Sequence, residues 1–359
     1  MRTSLPQPPD VRLARLAGAA ARLTGGEVTS LEFIGGGRNS QVYRIMAEGG
    51  RTYALKVYFR HPRDARDRLG NEFNSLRFLW DRGTREIPQA IAADPEEGCA
   101  LYEYIDGEKI ASSAVTENDL EAAICFLARL RDLGRHTEPG RFPPASEACF
   151  SLQAIVENIQ WRLDRLTADQ GAREDSDPAF HAFLAEELIP AFHAVVLWCR
   201  SGLDRAGMAF EQELELGKRT LSPSDFGFHN ALRRPDGGVV FLDFEYFGWD
   251  DPAKMIADFL LHPAMTLSES FGRRFVAGVL GRFAHDPVLA ERLMCVYPLF
   301  GLKWCLILLN EFLPEHLVRR RFAGAGVGDR RAVQMAQLSK ARGMLQRILR
   351  EYEHFPYHD

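Results

Sequence analysis

Residues 222–252 read SPSDFGFHNALRRPDGGVVFLDFEYFGWDDP, and three polar side chains in that stretch set the reading of the whole chain. Asp225 and Asn230 lie five apart in a segment with no helical or strand period. Arg233 to Gly238 supplies a hairpin turn, and the apolar run Val239–Leu242 that follows has strand character and ends in Asp243. A lone Asp-x-x-x-x-Asn is common. The same spacing followed by an apolar strand ending in Asp is far rarer. Two carboxylates and an amide are the donors that a hard divalent cation and a proton-accepting base require.

Working upstream, LEFIGGG, SQVYRIMA and TYALKVYF read as three strands, with Glu48-Gly49-Gly50 as the turn between the last two. Gly35, Gly36 and Gly37, followed by Arg38, Asn39 and Ser40, form the first turn. Such a glycine cluster lets backbone N–H groups come close to a phosphate. Alternation in the third strand puts Ala54, Lys56 and Tyr58 on one face and Leu55, Val57 and Phe59 on the other. The chain has only six lysines among 44 basic residues, so a lysine inside a strand calls for a reason. By itself Lys56 could simply point to water. A helix over about 68–82 follows, carrying Glu72, and residues 99–105 (CALYEYI) form another strand.

Residues 9–23 have a helical period, and beyond about 112 the chain turns helical. Thr116 and Asp119 have the spacing of a capping box, and helical periods run over 150–167, 178–200 and 330–352. The segments 168–178 and 323–329 read as loops. A strand-loop-strand island at 219–246 interrupts the helices. The expected class is α+β, with two unequal parts at 1–105 and 106–359. With 359 residues, 46% of them hydrophobic, the chain has ample core, and a formal charge of −5 gives no reason to expect nucleic acid as a partner. The start, MRTSLPQPPD, has no apolar stretch of signal-peptide type, and 297–313 is broken by Lys303 and reads as a buried helix. The six cysteines show no metal spacing. These features together place the protein in the cytosol, away from membranes.

The quoted motifs resemble those of the aminoglycoside phosphotransferase / choline kinase family, a branch of the protein-kinase-like fold. The likeness spans roughly 30–265, through GGGRNSQVYRI, ALKVY, ALYEYIDGE, SDFGFHNAL and FLDFEYFGWDDPAKMIADF. It implies a two-lobed fold with a small β-rich N-lobe and a larger helical C-lobe. It also implies ATP as phosphate donor and Mg2+ as cofactor. Asp225 would be the catalytic base, and Asn230 and Asp243 would be Mg2+ ligands. Gly35, Gly36, Gly37, Asn39, Ser40 and Lys56 would hold the phosphates, with Glu72 pairing Lys56. Backbone groups of Glu103, Tyr104 and Ile105 would hold the base. Asp225-Phe226-Gly227 mimics the metal-binding tripeptide of protein kinases, but it precedes Asn230 and so belongs to the catalytic loop. One departure stands out: the family has His two residues before the catalytic Asp, and here that residue is Pro223.

The acceptor implied is a small hydroxyl-bearing metabolite, namely a sugar, amino sugar or amino alcohol. A nucleotide-binding scaffold that transfers nothing is the rival reading, and the missing His speaks for it. A protein kinase is disfavoured because no Ala-Pro-Glu segment follows Asp243. Asp250 and Asp251 before Pro252 read as a helix entry. Asp258 reads as a brace for the catalytic loop, by analogy with the family. Glu245, Lys303 and Asn310 are the candidate acceptor-binding residues, the last two being seven apart on one helix face. His229 and His262 show no metal spacing and receive no role.

Overall fold

The computed structural model describes residues 9–37, 39–60, 66–168, 177–206, 209–313 and 330–357. Arg38 of the first turn and most of the expected loops at 168–178 and 323–329 lie outside the described residues. Contacts group the chain into two compact units. The first takes the residues up to Glu108 and then Leu232–Glu245. The second takes Lys109–Ala231 and the described residues from Tyr246 onward. The sequence reading drew its boundary at 105 and kept 232–245 with the helical part, whereas contacts return that segment to the first unit.

The first unit starts with helix α1 (Pro9–Thr24) and continues with strands β1 (Val28–Gly36), β2 (Ser40–Ala47) and β3 (Thr52–Tyr58). Helix α2 (Arg68–Asp81) and strands β4 (Ala90–Asp94) and β5 (Cys99–Glu103) follow. The five strands form one antiparallel sheet in the order β1-β2-β3-β5-β4, with Lys56 of β3 opposite Val42 of β2 and Ala100 of β5. Leu16, Ala19 and Ala20 of α1 bury against Tyr43, Ile45, Leu55, Val57, Cys99 and Leu101. The β2–β3 turn needs φ of 81° at Gly49 and 76° at Gly50, which glycine adopts without steric cost. Strands β6 (Glu108–Lys109), β8 (Ala231–Arg233) and β9 (Val239–Phe241) form a small second sheet, and the Phe241 amide donates to Glu86 O at 2.8 Å.

The second unit is mainly helical. Helix α3 (Glu117–Arg135) starts on the capping box expected from Thr116 and Asp119, with both reciprocal bonds formed. Then come α4 (Leu152–Thr167), α5 (Pro178–Ala182), a π turn at Phe183–Leu188 and α6 (Ile189–Ala206). Strand β7 (Thr220–Ser222) pairs with β10 (Gly248–Asp250), a pairing with no sequence signal. Helices α7 (Pro252–Leu261), α8 (Glu269–Arg282), α9 (Leu289–Leu308) and α10 (Arg330–Glu351) follow, with α7 and α10 packed on α9. Asp251 caps α7 by accepting from the Ala253 amide at 2.8 Å, with Pro252 in the first turn, as the sequence implies. Among the described residues, two segments, Pro178–Leu203 and Leu289–Phe312, are long and apolar enough to cross a membrane. The second is 78% buried over its most apolar window and works as a core helix.

A phenylalanine stack runs through this unit. Phe226 stacks on Phe126 and Phe259, both at 5.7 Å. Phe228 meets Phe259 edge-on at 5.5 Å, and Phe259 stacks on Phe275 at 3.9 Å. Burying each such ring contributes about 1.5–3 kcal/mol. Because Phe226 and Phe228 are anchored this way, Asp225 and Gly227 are fixed without regular secondary structure, and His229 follows in the short 3-10 turn Phe228–Asn230.

Candidate active site

In the first unit, Lys56 is 8% exposed, so its strand does not point it to water. Its Nζ donates to Glu72 Oε2 and to Asp243 Oδ1, both at 2.7 Å. Tyr58 OH also donates to Glu72 Oε2 at 2.8 Å, and the Phe244 amide donates to Glu72 Oε1 at 3.3 Å. Burial alone would push the Lys56 ammonium down, but the charges of Asp243, Glu72 and Glu245 outweigh it and hold the pKa well above the ordinary lysine value. Lys56 is therefore a permanent cation. Asp243 has φ of 66°, an unfavourable region for a residue with a Cβ, and the site carries that strain at a cost of about 1–3 kcal/mol.

Carboxylate oxygens of Glu72, Asp243 and Glu245 lie within 4.8 Å of one another. Glu245 is 4% exposed, and Arg68 lies 3.7 Å from it. Three carboxylates thus face two cations. Burial, and then the Asp243 charge, push the Glu245 carboxyl up to about 7, and its Oε2 is buried without a hydrogen bond. An oxygen-rich cluster short of positive charge fits a divalent cation.

Glycine closes the connection between β1 and β2. A Cβ on Gly36 would stand 2.3 Å from Ser40 O, so only glycine allows the two strands to close there. Asn39 donates from Nδ2 to Glu245 Oε1 at 2.9 Å, which ties the hairpin to the acidic cluster. Ser40 is buried in the first residue of β2, while Gly35 and Gly37 flank the turn. Glu103, Tyr104 and Ile105 line a concavity of about 440 Å3 with Asp106 and Arg234–Asp236, and Arg234 pairs with Glu103 at 3.2 Å.

In the second unit, Asp225 accepts from His229 Nε2 at 3.0 Å, and Asn230 Nδ2 donates to the Asp225 carbonyl at 2.9 Å. The second bond leaves the Asn230 side-chain oxygen as the acceptor end of that amide. Burial raises the Asp225 carboxyl, yet the His229 hydrogen bond, the electrostatic pull of the His229 and His262 imidazoles and the Asn230 amide overcome it and hold the group at about 2. Ser224, just before it, has φ of 69°. Ser224 Oγ donates to Ser146 O at 2.7 Å and accepts from Lys254 Nζ at 3.2 Å, and the Ser224 amide donates to Ser222 Oγ at 2.9 Å. Lys254, 1% exposed, also holds Asp250 at 2.7 Å and Asp258 at 3.1 Å. The entry to the loop is braced here by a serine and a buried lysine, in a chain with Pro223 where the resemblance leads one to expect His. Asp258 acts through Lys254 and accepts from Trp304 Nε1 at 2.9 Å.

Of the candidate acceptor residues, Glu245 sits in the first unit among Asn39, Arg68 and Asp243. Lys303 is 2% exposed and belongs to no solvated stripe. Its Nζ approaches Glu147 Oε2 at 3.4 Å and lies 4.8 Å from the Phe300 ring centre. Helix α9 ends at Leu308, so Asn310 falls in the tighter turn Leu309–Phe312 and is only half-buried. Glu147, which the sequence does not single out, also pairs with Arg162 at 2.7 Å and has φ of 65°. Burial pushes its carboxyl up, but Lys303, Arg162 and Asn158 hold it well below the usual carboxylate range. A carboxyl lowered on folding stabilises fully above about pH 4.5, and that contribution is lost as the pH falls through the folded value. Glu147→Gln is accordingly expected to cost about 2–4 kcal/mol at pH 7. The gap from wild type should narrow steadily below pH 4.5 in denaturant titrations. An equal gap at pH 7 and pH 3 would exclude the ion-pair origin.

The sequence reading missed His229, His262, Lys254, Ser224 and Glu147. His229 carried a local signal, standing four residues after Asp225, as did Lys254 between Asp250 and Asp258. The other contacts that tie these residues to this site come from afar: Lys254 lies 30 residues from Ser224, and Lys303 lies 156 from Glu147.

No curated protein matches the chain. Among solved structures, a spectinomycin phosphotransferase, APH(9)-Ia, in complex with ADP and spectinomycin aligns with a TM-score of 0.59 at 12% identity. That alignment covers 91% of this chain and 98% of the other. A choline kinase, LicA, from Streptococcus pneumoniae aligns with a TM-score of 0.57 at 17% identity, covering 93% and 99%. The gentamicin complex of APH(2″)-IIa also has a TM-score of 0.57, at 15% identity, covering 96% and 97%. At such identities the likeness establishes the fold, which is the protein-kinase-like α+β fold of these enzymes. A family model described as the phosphotransferase enzyme family matches residues 30–292, nearly three quarters of the sequence, and the chain belongs to that family.

Proposed function

We propose that the protein is a small-molecule kinase that transfers the γ-phosphate of ATP to a hydroxyl of a sugar, amino sugar or amino alcohol. The observation that carries this reading is the buried Lys56 held between Glu72 and Asp243. A lysine fixed by two carboxylates is pre-set as a phosphate clamp, because its charge and direction are determined before nucleotide arrives. The glycine hairpin, with Gly35, Gly36, Gly37, Asn39 and Ser40, would present backbone amides to the phosphates, and Glu103–Ile105 would take the base.

Asp225, kept ionised, would orient the acceptor hydroxyl and take its proton. Asn230 and Asp243 would hold Mg2+, for which the charge-deficient carboxylate cluster is suited. Bound there, the ion would neutralise charge building up on the transferred phosphoryl group. Glu245, Lys303 and Asn310 remain candidates for acceptor contacts, and Glu147 joins them through Lys303. Relatives of this fold include enzymes named for choline and for aminoglycosides, which supports an acceptor bearing both hydroxyl and amine. Cytosolic placement, without a nucleic-acid or membrane partner, goes with this reading.

Pro223 in the place of the brace histidine favours the alternative, a nucleotide-binding scaffold that transfers nothing. ADP release under ATP and Mg2+, scanned over a library of sugars, amino sugars and amino alcohols, separates the two. Kinase activity should give acceptor-stimulated ADP release that Asp225→Ala and Asp243→Ala both abolish. Mg2+-dependent ATP binding with no stimulated release would select the scaffold.

A further inference from the structure

The second unit brings one imidazole onto an oxygen of Asp225 and stacks a second imidazole against it. His229 Nε2 lies 3.0 Å from Asp225 Oδ1, and His262 Nε2, at the end of α7, lies 3.6 Å from the same oxygen. The two rings stack with centres 3.7 Å apart and planes 7° from parallel. Both are wedged. Trp304 meets His262 edge-on at 4.7 Å, with its own Nε1 tied to Asp258. Gly227 leaves so little room beside His229 that a Cβ there would come within 2.7 Å of Nδ1.

Hydrogen bonding sets the tautomers. The Ala264 amide donates to His262 Nδ1 at 3.2 Å, so a neutral His262 carries its proton on Nε2, the nitrogen facing Asp225. An ionised carboxylate only accepts, which requires Nε2–H on His229 as well. The same three residues are of the type that binds zinc. Zinc, however, needs bare lone pairs on both Nε2 atoms, and that tautomer would strip the Ala264 amide of its acceptor.

We propose that His229 and His262 are a positioning pair: His229 donates Nε2–H to Asp225 Oδ1, and the stacked His262 holds that imidazole in place, so that Oδ2 is reserved for the acceptor hydroxyl. The pair does for the carboxylate what Ser224 and Lys254 do for the backbone before it. With Oδ1 held from one side, rotation of the carboxylate is blocked, and misplacement by about 1 Å is enough to cost 100-fold in rate. This inference rests on the reading of Asp225 as the base, and the test keeps the two apart.

ADP release is measured with ATP and Mg2+, first with water as sole acceptor and then with choline, ethanolamine, glucosamine and gentamicin. His229→Leu and His262→Leu should each lower kcat by about 10- to 100-fold with the KM for ATP unchanged. His229→Gln, which restores an N–H donor, should recover most of the loss. Wild-type kcat in both Leu variants, beside an inactive Asp225→Asn, would overturn the pair while leaving the base intact. Equal losses in the Leu and Gln variants would also overturn it, since packing alone would then explain them. Undiminished activity in Asp225→Asn would instead remove the underlying reading. Nitrogen-15 spectra of histidine-labelled protein give a readout free of any acceptor. Nε2–H tautomers on both residues are expected, and Nδ1–H on either contradicts the proposal.

Discussion

Asp225→Asn is expected to lower kcat for acceptor phosphorylation by about 10²–10⁴-fold while leaving the KM for ATP within about twofold. Asparagine keeps the shape but cannot take a proton. The ground-state nucleotide contacts assigned to this chain lie with Lys56, the glycine hairpin and Glu103–Ile105, so ATP binding should be spared. A parallel fall in kcat and in ATP affinity would show that Asp225 supports the nucleotide site instead. Calorimetric titration with ATP and Mg2+, run beside the kinetics, separates the two effects.

The second large effect is expected at Lys56. Lys56→Met removes the cation that neutralises Glu72 and Asp243, and methionine fills most of the volume without the charge. Two carboxylates, one of them nearly inaccessible to water, then repel each other and are poorly solvated. Breaking a buried ion pair from one side costs about 3–5 kcal/mol, and the partial exposure of Asp243 brings the expected loss to about 3 kcal/mol. Urea denaturation at pH 7 should show a clear fall in midpoint, and ATP binding should drop beyond detection. The double variant Lys56→Met/Glu72→Gln should regain part of the stability, because it removes one of the stranded charges, yet none of the binding. Restored binding in the double variant would mean that Lys56 serves the fold and not the phosphates.

The parts of the molecule legible in sequence are those whose signals are local. Alternation in TYALKVYF gives β3, the Thr116/Asp119 spacing gives the start of α3, and Asp251-Pro252 gives the start of α7. Lys56, Glu72, Asp225, Asn230 and Asp243 can be nominated from their order and spacing along the chain alone. What escaped is non-local. Leu232–Glu245 returns to the first unit because Phe241 and Phe244 bond to Glu86 and Glu72, more than 150 residues earlier. His262 looks inert in its own stretch and acquires meaning only when α7 ends beside the Asp225 loop. Lys303 looks like a break in an apolar helix, since the glutamate that makes its burial tolerable comes from a loop 156 residues upstream. Lys254 is hidden in the same way: its partners Asp250 and Asp258 sit at helical spacing, but the one that matters for the loop is Ser224.

The measurement that bears most directly on the central claim is transfer of label from [γ-32P]ATP, with Mg2+, into a panel of sugars, amino sugars and amino alcohols resolved by chromatography. A phosphorylated small molecule should form with wild-type protein and be absent with Asp225→Asn. Label found only as inorganic phosphate, or equally in both proteins, would contradict the assignment of this chain as a kinase acting on a small hydroxyl compound.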